Sequence, residues 1–163
     1  MDEFGLDEVY VVPDHTAAYK KMESVEDRNK MVELMFADDP RVKVLTPDMQ
    51  KDLGDGEMWD VLRVVGGANP GAPMHNIMGT DTLDWYLTLG DEQRTPGVVP
   101  LVNRRDPTQK LPAEVDGAEV QSIVGVDGGY SSTAVRGALA EGTQHESLDD
   151  AVYQYIREKG LYQ

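Results

Sequence analysis

The sequence predicts an α/β fold, a parallel sheet with crossover helices. Three observations carry this expectation. Short apolar runs stopped by Pro, Gly or Asp recur along the chain. Stretches with apolar residues at helical spacing lie between them. Cap residues flank several of those stretches, Ser24 and Ser131 or Ser132 before, Gly142 and Gly160 after. Strand, helix, strand, helix in alternation is the order that a parallel sheet with returning helices requires.

The elements follow in order. Val9-Tyr10-Val11-Val12, ended by Pro13, reads as a buried strand, and residues 14–23 as a loop. Ser24-Val25-Glu26-Asp27 resembles a capping box, with the Ser24 hydroxyl as N-cap. The helix it opens carries Met31, Leu34 and Met35 on one face and ends at Asp38-Asp39-Pro40. Val42-Lys43-Val44-Leu45 is the second strand, and residues 52–56 are rich in turn formers. Trp59, Leu62 and Val65 predict a helix ended by Gly66-Gly67. Residues 74–78 form a third strand running into Gly79-Thr80-Asp81, and a helix through Leu83 and Leu87 stops at Gly90. Residues 98–102 are a fourth strand interrupted by Pro100, residues 103–117 a long polar loop, and residues 120–124 a fifth strand. A helix through Leu139 and a last one over residues 148–159, with Val152 and Ile156 inward, complete the chain. The length of 163 residues suits a single domain over residues 1–163 with one sizeable core.

Composition narrows the function classes. Hydrophobic residues at 40% and charged residues at 28% are ordinary for a globular protein rather than a disordered one. The absence of cysteine removes disulfides and thiolate metal sites. No apolar run reaches the roughly 18 residues of a membrane span. Met1-Asp2-Glu3-Phe4 lacks the features of a signal peptide, so a cytoplasmic setting is expected. The formal charge of −15 argues against a broad nucleic-acid or membrane surface. A phosphate ligand is admissible only where a few cations and backbone N–H groups reverse the local field. There is no Gly-x-Gly-x-x-Gly after the first strand, which leaves a redox dinucleotide enzyme without support.

One segment answers the phosphate requirement. Gly128-Gly129 permits a tight turn, and Ser131-Ser132-Thr133 then opens a helix. The first N–H groups of a helix have no internal partner, and its dipole makes that end partly positive. An anion fits there. Arg136 stands one turn in, within reach of the same anion. On these residues alone the segment is also an ordinary capped helix.

Its surroundings sharpen it. Tyr130-Ser131-Ser132-Thr133-Ala134-Val135-Arg136 resembles the Ile-Ser-Ser-Thr-x-Ile-Arg signature of the nicotinate- and nicotinamide-mononucleotide adenylyltransferases. The tail from Val152 to the closing Gly160-Leu161-Tyr162 resembles that family's C-terminal helix. Val12-Pro13, Tyr19-Lys20, Ser24-Val25-Glu26-Asp27-Arg28 and Met78-Gly79-Thr80-Asp81 resemble its Val-Pro, His-Lys, Ser-x-Glu-Asp-Arg and Met-Gly-Ala-Asp, in the same order. The resemblance implies a Rossmann-like sheet with helices on both faces, and adenylyl transfer from ATP, with Mg²⁺, to a pyridine mononucleotide in NAD synthesis. It assigns nucleotide or phosphate binding to Lys20, Gly79, Asp81, Ser131, Ser132, Thr133 and Arg136. Trp85, at helical spacing from Asp81, is a candidate for stacking on the pyridine ring and equally a core residue. Arg104-Arg105 could offset triphosphate charge or stand as a solvated pair.

The chain departs from the family in two places. Members begin with a strand carrying Gly-x-Phe-x-Pro-x-His-x-Gly-His, whose histidines bind the ATP phosphates, and a first helix. The histidines of this chain, His15, His75 and His145, stand in no such motif, so no catalytic residue is assigned. The expected fold therefore lacks the family's first strand and helix, and open sheet edges follow. A truncated chain, a strand supplied by another chain, and a rearranged sheet each account for this. Where bacterial members read Ser-Tyr-Thr-x-Asp-Thr-Leu, this chain has Gly56-Glu57-Met58-Trp59-Asp60-Val61-Leu62, so the Tyr and Thr of the nicotinate side are gone. Two functions follow as alternatives. One is adenylyl transfer with the missing segment supplied. The other is a non-catalytic homologue that binds nucleotides or serves as an assembly subunit, with a protein partner or second copy covering the open sheet.

Overall fold

A computed structural model describes residues 1–13, 22–53, 57–104, 106, 108–123 and 131–162. The chain divides into two compact units, Met1–Glu57 with Tyr130–Gln163, and Met58–Gly129.

The first unit contains β1 (Val9–Tyr10), α1 (Val25–Met35), β2 (Val42–Lys43), the short α2 (Pro47–Lys51), α5 (Ser132–Ala140) and α6 (Asp150–Lys159). β1 and β2 pair in parallel, with Val9 opposite Val42. Ser24 caps α1 as expected, its Oγ accepting the Asp27 backbone N–H at 3.0 Å. Leu139, Val152, Ile156 and Leu161 form the core, and Met31 and Leu34 of α1 pack against it. Met35, expected on that face, is 44% exposed, because the helix ends there and Phe36 leaves the helical path. Asp149 caps α6 by accepting the Ala151 and Val152 N–H groups. Gly160 ends α6 at φ 65°, a backbone angle that glycine adopts without strain. The missed helix α2 had a local signal, Thr46 as N-cap followed by a proline at the first turn.

The second unit contains α3 (Met58–Ala68), β3 (His75–Gly79), α4 (Thr80–Tyr86), β4 (Val99–Asn103), β5 (Glu114–Val115), β6 (Ala118–Glu119) and β7 (Gln121–Ile123). β3, β4 and β7 form a parallel sheet in that order. α3 does not stop at Gly66-Gly67. It runs to Ala68, and Asn69 then closes it by donating from Nδ2 to the Val65 carbonyl at 2.9 Å. Gly66 serves proximity, since a Cβ there would lie 2.8 Å from Met74 Sδ. α4 ends at Tyr86, so Leu87 is 41% exposed and Tyr86 takes the buried place expected of it.

Pro100 does not break β4, which is the central strand. Alternate residues of a strand aim their N–H groups at opposite neighbours. The Val99 N–H bonds the Met74 carbonyl on the β3 side, so the missing donor of Pro100 faces β7. Pairing with β7 begins only at Leu101, and no ladder bond is lost. The expected loop over residues 103–117 is corrected at both ends. Asn103 belongs to β4, and β5 and β6 form a tight antiparallel hairpin over Asp116-Gly117, both at positive φ (52° and 82°).

Asp116 is held in that backbone conformation by two partners. Tyr86 donates its hydroxyl to Oδ2 at 2.9 Å, and Arg94 donates to Oδ1 at 3.0 Å. The Tyr86 oxygen also accepts the Thr95 N–H at 3.2 Å. The unit's core, Met78, Leu83, Tyr86, Val102 and Val115, lies beneath this group. Burial, then the Asp116 carboxylate, pushes the Tyr86 phenol above its usual value. A phenol raised in the fold above its unfolded value of about 10 stabilises below that pH, and the contribution is lost as pH rises past it. Tyr86→Phe is therefore expected to cost about 1–3 kcal/mol in urea denaturation at neutral pH. It should also flatten the loss of stability that the parent shows above about pH 10.

Candidate functional site

In open α/β sheets ligands collect beyond the carboxyl ends of the strands. That edge of the second unit is formed by Gly79, Asn103 and Ile123, which stand side by side in the register. Gly79 is the N-cap of α4 and uses no side chain for it. A Cβ at Gly79 would lie 2.5 Å from Asp81 Oδ1, so the Asp81 carboxylate folds into the space the glycine leaves. Asn103 Oδ1 is buried and has no hydrogen-bond partner among the described residues. Arg104 follows β4 and donates to the Gln109 carbonyl at 3.5 Å.

In the first unit the start of α5 is built as its sequence implies. Ser131, rather than Ser132, is the N-cap, accepting the Ala134 N–H at 3.1 Å. Ser132, Thr133 and Arg136 are exposed. The other five α-helices among the described residues each carry an acid in the first turn, and α5 carries none. In a chain this acidic, the omission leaves the first turn of α5 with no acidic side chain of its own to offset the helix dipole.

The Ser24 to Arg28 motif proves to be a joint. Asp27 accepts the Tyr155 hydroxyl of α6 at 2.7 Å and the Ser24 hydroxyl at 2.7 Å. Those two bonds, Ser24 first, hold the Asp27 carboxyl below its usual range. Arg28 Nε donates to the Glu23 carbonyl at 3.1 Å. Glu23 Oε1 accepts the Tyr162 N–H at 2.7 Å, where Tyr162 holds a φ of 58° that a bulky residue seldom adopts. Tyr162 packs beside Val135 of α5 against the same core. Burial raises its phenol, and Arg28 and Arg136 are the two cations that oppose the rise.

The remaining candidates separate. Lys20, His15 and Arg105 lie outside the described residues, as do Gly128, Gly129 and Tyr130. His75 starts β3, at the end of the strand opposite Gly79. His145 Nδ1 accepts the Ser147 N–H at 3.2 Å, a turn contact ahead of α6. Met58 packs against the core, and Asn76 Nδ2 donates to its sulfur at 3.0 Å. Trp85 is no core residue. It is 43% exposed and stacks on Trp59 at 6.4 Å between ring centroids. Sequence reasoning missed Asn103, because a polar residue between a strand and Arg104 reads as the start of a loop. Among the described residues no group of three or more His, Asp or Glu side chains is arranged to hold a metal ion. No described helix is long and apolar enough to cross a membrane.

No family model matches the chain. Curated relatives do. A "probable nicotinate-nucleotide adenylyltransferase" of Enterococcus faecalis is 29% identical over 99% of this chain and 74% of its own length. One of Neisseria meningitidis with the same description is 28% identical over 99% of this chain and 87% of its own. Among solved structures, Plasmodium falciparum nicotinic acid mononucleotide adenylyltransferase complexed with NaAD superposes with a TM-score of 0.67. It is 16% identical and covers 99% of this chain and 89% of that one. The fold is thus α/β and Rossmann-like, and the resemblance drawn from the motifs is borne out along nearly the whole chain.

The Ser131 cap generates a direct expectation. Ser131→Ala should cost about 1 kcal/mol of stability in denaturant titration, whereas Ser132→Ala, which removes no cap, should cost little. Acid is the second probe. A carboxyl held low in the fold stabilises above its unfolded value of about 3.9, and the contribution is lost as pH falls through the folded value. Tyr155→Phe should therefore shrink the acid-side loss of stability, read as helical circular dichroism against pH.

Proposed function

We propose that this relative of the nicotinate-nucleotide adenylyltransferases binds ATP and a pyridine mononucleotide and serves adenylyl transfer between them in NAD synthesis. The observation that carries the reading is the start of α5: a family signature of hydroxyl residues and Arg136, at the one described α-helix whose first turn carries no acid. Ser132, Thr133, Arg136 and the α5 N–H groups are assigned the triphosphate, with Lys20 added by resemblance. Gly79 and Asp81 are assigned a nucleotide ribose, and the exposed face of Trp85 the pyridine ring.

In the reaction a phosphate oxygen of the mononucleotide attacks the α-phosphorus of ATP. The bond from that phosphorus to the bridging oxygen breaks, and pyrophosphate leaves with the electron pair. No covalent enzyme intermediate and no redox step are involved. Catalysis of this kind is positioning and charge stabilisation at phosphoryl oxygens. Mg²⁺, if carried by the triphosphate, would supply charge screening there. The residues of this chain bind and orient. The His-x-Gly-His that the family uses at the phosphates is not among these 163 residues.

Calorimetry with ATP and pyrophosphate release with each mononucleotide test the proposal. ATP is expected to bind the 163-residue chain, and Arg136→Ala to weaken it by about tenfold or more, the worth of a charged hydrogen bond. Turnover is expected to rise by orders of magnitude once a relative's His-x-Gly-His segment is fused to the chain. A chain that binds neither ATP nor mononucleotide would end the reading. Binding with no turnover in the fused chain would make it a nucleotide-binding homologue without catalysis.

A further inference from the structure

Tyr162 holds a backbone conformation that its side chain does not favour. Its φ of 58° lies in the left-handed region, where a bulky residue is rare and persists only when its surroundings enforce it. The enforcement comes from far along the chain. The Tyr162 N–H is bonded at 2.7 Å to Oε1 of Glu23, just ahead of α1. Leu161 and Tyr162 are neighbours in sequence, yet both rest on the one helical core cluster of the first unit. An extended chain, with successive side chains on opposite sides, does not allow that.

What the ring meets there is α5. That helix has nine residues, too few for its internal bonds to hold its direction. Leu139 buries its second half. In the first half Ser132, Thr133, Ala134 and Arg136 are exposed, and Val135 alone is turned inward. Val135 and Tyr162 pack against the same cluster. Arg136, the next residue after Val135, stands within electrostatic reach of the phenol. Burial, then the Glu23 carboxylate, raises that phenol, and Arg28 and Arg136 oppose the rise. The half of α5 that carries the hydroxyls and Arg136 therefore has one apolar foothold, and the strained tail lies beside it.

We infer that Tyr162 is a positioning residue for the start of α5: its ring, kept in place by the bond to Glu23, backs the turn that carries Val135 and so fixes where Arg136 points. Tyr162 touches no ligand in this arrangement and acts through Arg136. The strain is retained because glycine, which would relieve it, has no ring to offer. This rests on the assignment of a triphosphate to α5 and Arg136 made above, and adds to it the residue that aims them.

ATP is titrated by calorimetry into the 163-residue chain and into Tyr162→Gly, Tyr162→Phe, Arg136→Ala and the double variant of Tyr162→Gly with Arg136→Ala, with thermal melting alongside. Glycine accepts the left-handed φ and removes the ring. Tyr162→Gly is expected to weaken ATP about fivefold or more, and Tyr162→Phe, which keeps the ring, to stay within about twofold of the parent. In the Arg136→Ala background the same glycine substitution should change the affinity less than about twofold, since the residue it acts through is gone. A merely structural residue would subtract equally in both backgrounds. Parental affinity in Tyr162→Gly, an equal loss in both backgrounds, or a loss in Tyr162→Phe as large as in Tyr162→Gly overturns positioning by the ring and leaves nucleotide binding standing. A parent that binds no ATP, or an Arg136→Ala variant that binds it as the parent does, overturns the underlying reading too. Where melting shows Tyr162→Gly unfolded at the titration temperature, Glu23→Ala takes its place. It releases the Tyr162 N–H and leaves every residue of α5 and the tail intact. The same loss is expected, again absent without Arg136, and parental affinity there overturns the role.

Discussion

The second unit depends on the carboxylate of Asp116. It sits at a turn whose φ of 52° is unfavourable for an ordinary side chain, and it is kept there by Tyr86 and Arg94. Tyr86 is the last residue of α4, and α4 begins at the carboxyl end of β3. The turn of a hairpin late in the unit thus fixes the far end of the helix whose near end carries Asp81. Deprived of this anchor, a helix of seven residues has too few internal bonds to hold its direction. The orientation of the candidate site is in this sense set from its periphery.

The first unit solves a related problem by other means. Its helical core cluster is small, four buried aliphatic side chains from α5, α6 and the tail, with Met31 and Leu34 of α1 laid against them. Polar bonds at the rim, from Asp27 to Tyr155 and from Glu23 to Tyr162, fix the helix pair. The motif of residues 24–28 is spent on this joint and has no side chain left for chemistry at Ser24 or Asp27. The start of α5 is the contrasting case. Its cap uses Ser131 alone, and the next hydroxyls and Arg136 face solvent.

Much of this was legible in the sequence, for reasons that differ by element. The capped helices were readable because Ser24, Ser131 and Gly160 act on their own neighbours, and local chemistry is what a sequence displays. Gly66-Gly67 misled because its meaning lay in Met74, a contact across a turn. Pro100 misled because the harm of a missing donor depends on which neighbour the donor would face and where that neighbour begins. The hairpin at Asp116-Gly117 had a local signal that went unread in a long polar stretch. The capped start of α5 was recognisable from its ordered motif. Asn103 was not, since an unpaired atom is defined by everything around it.

The joint between α1 and α6 links residues 128 and 139 positions apart in the chain. Such contacts close the longest loops and form late. During synthesis, Met31 and Leu34 would emerge with their partners not yet made, and would stay uncovered until residues 150–162 had followed. The high acidity then acquires a role in the life of the nascent chain. Mutual repulsion between partly folded copies would keep that apolar face from finding another before its own helix arrives.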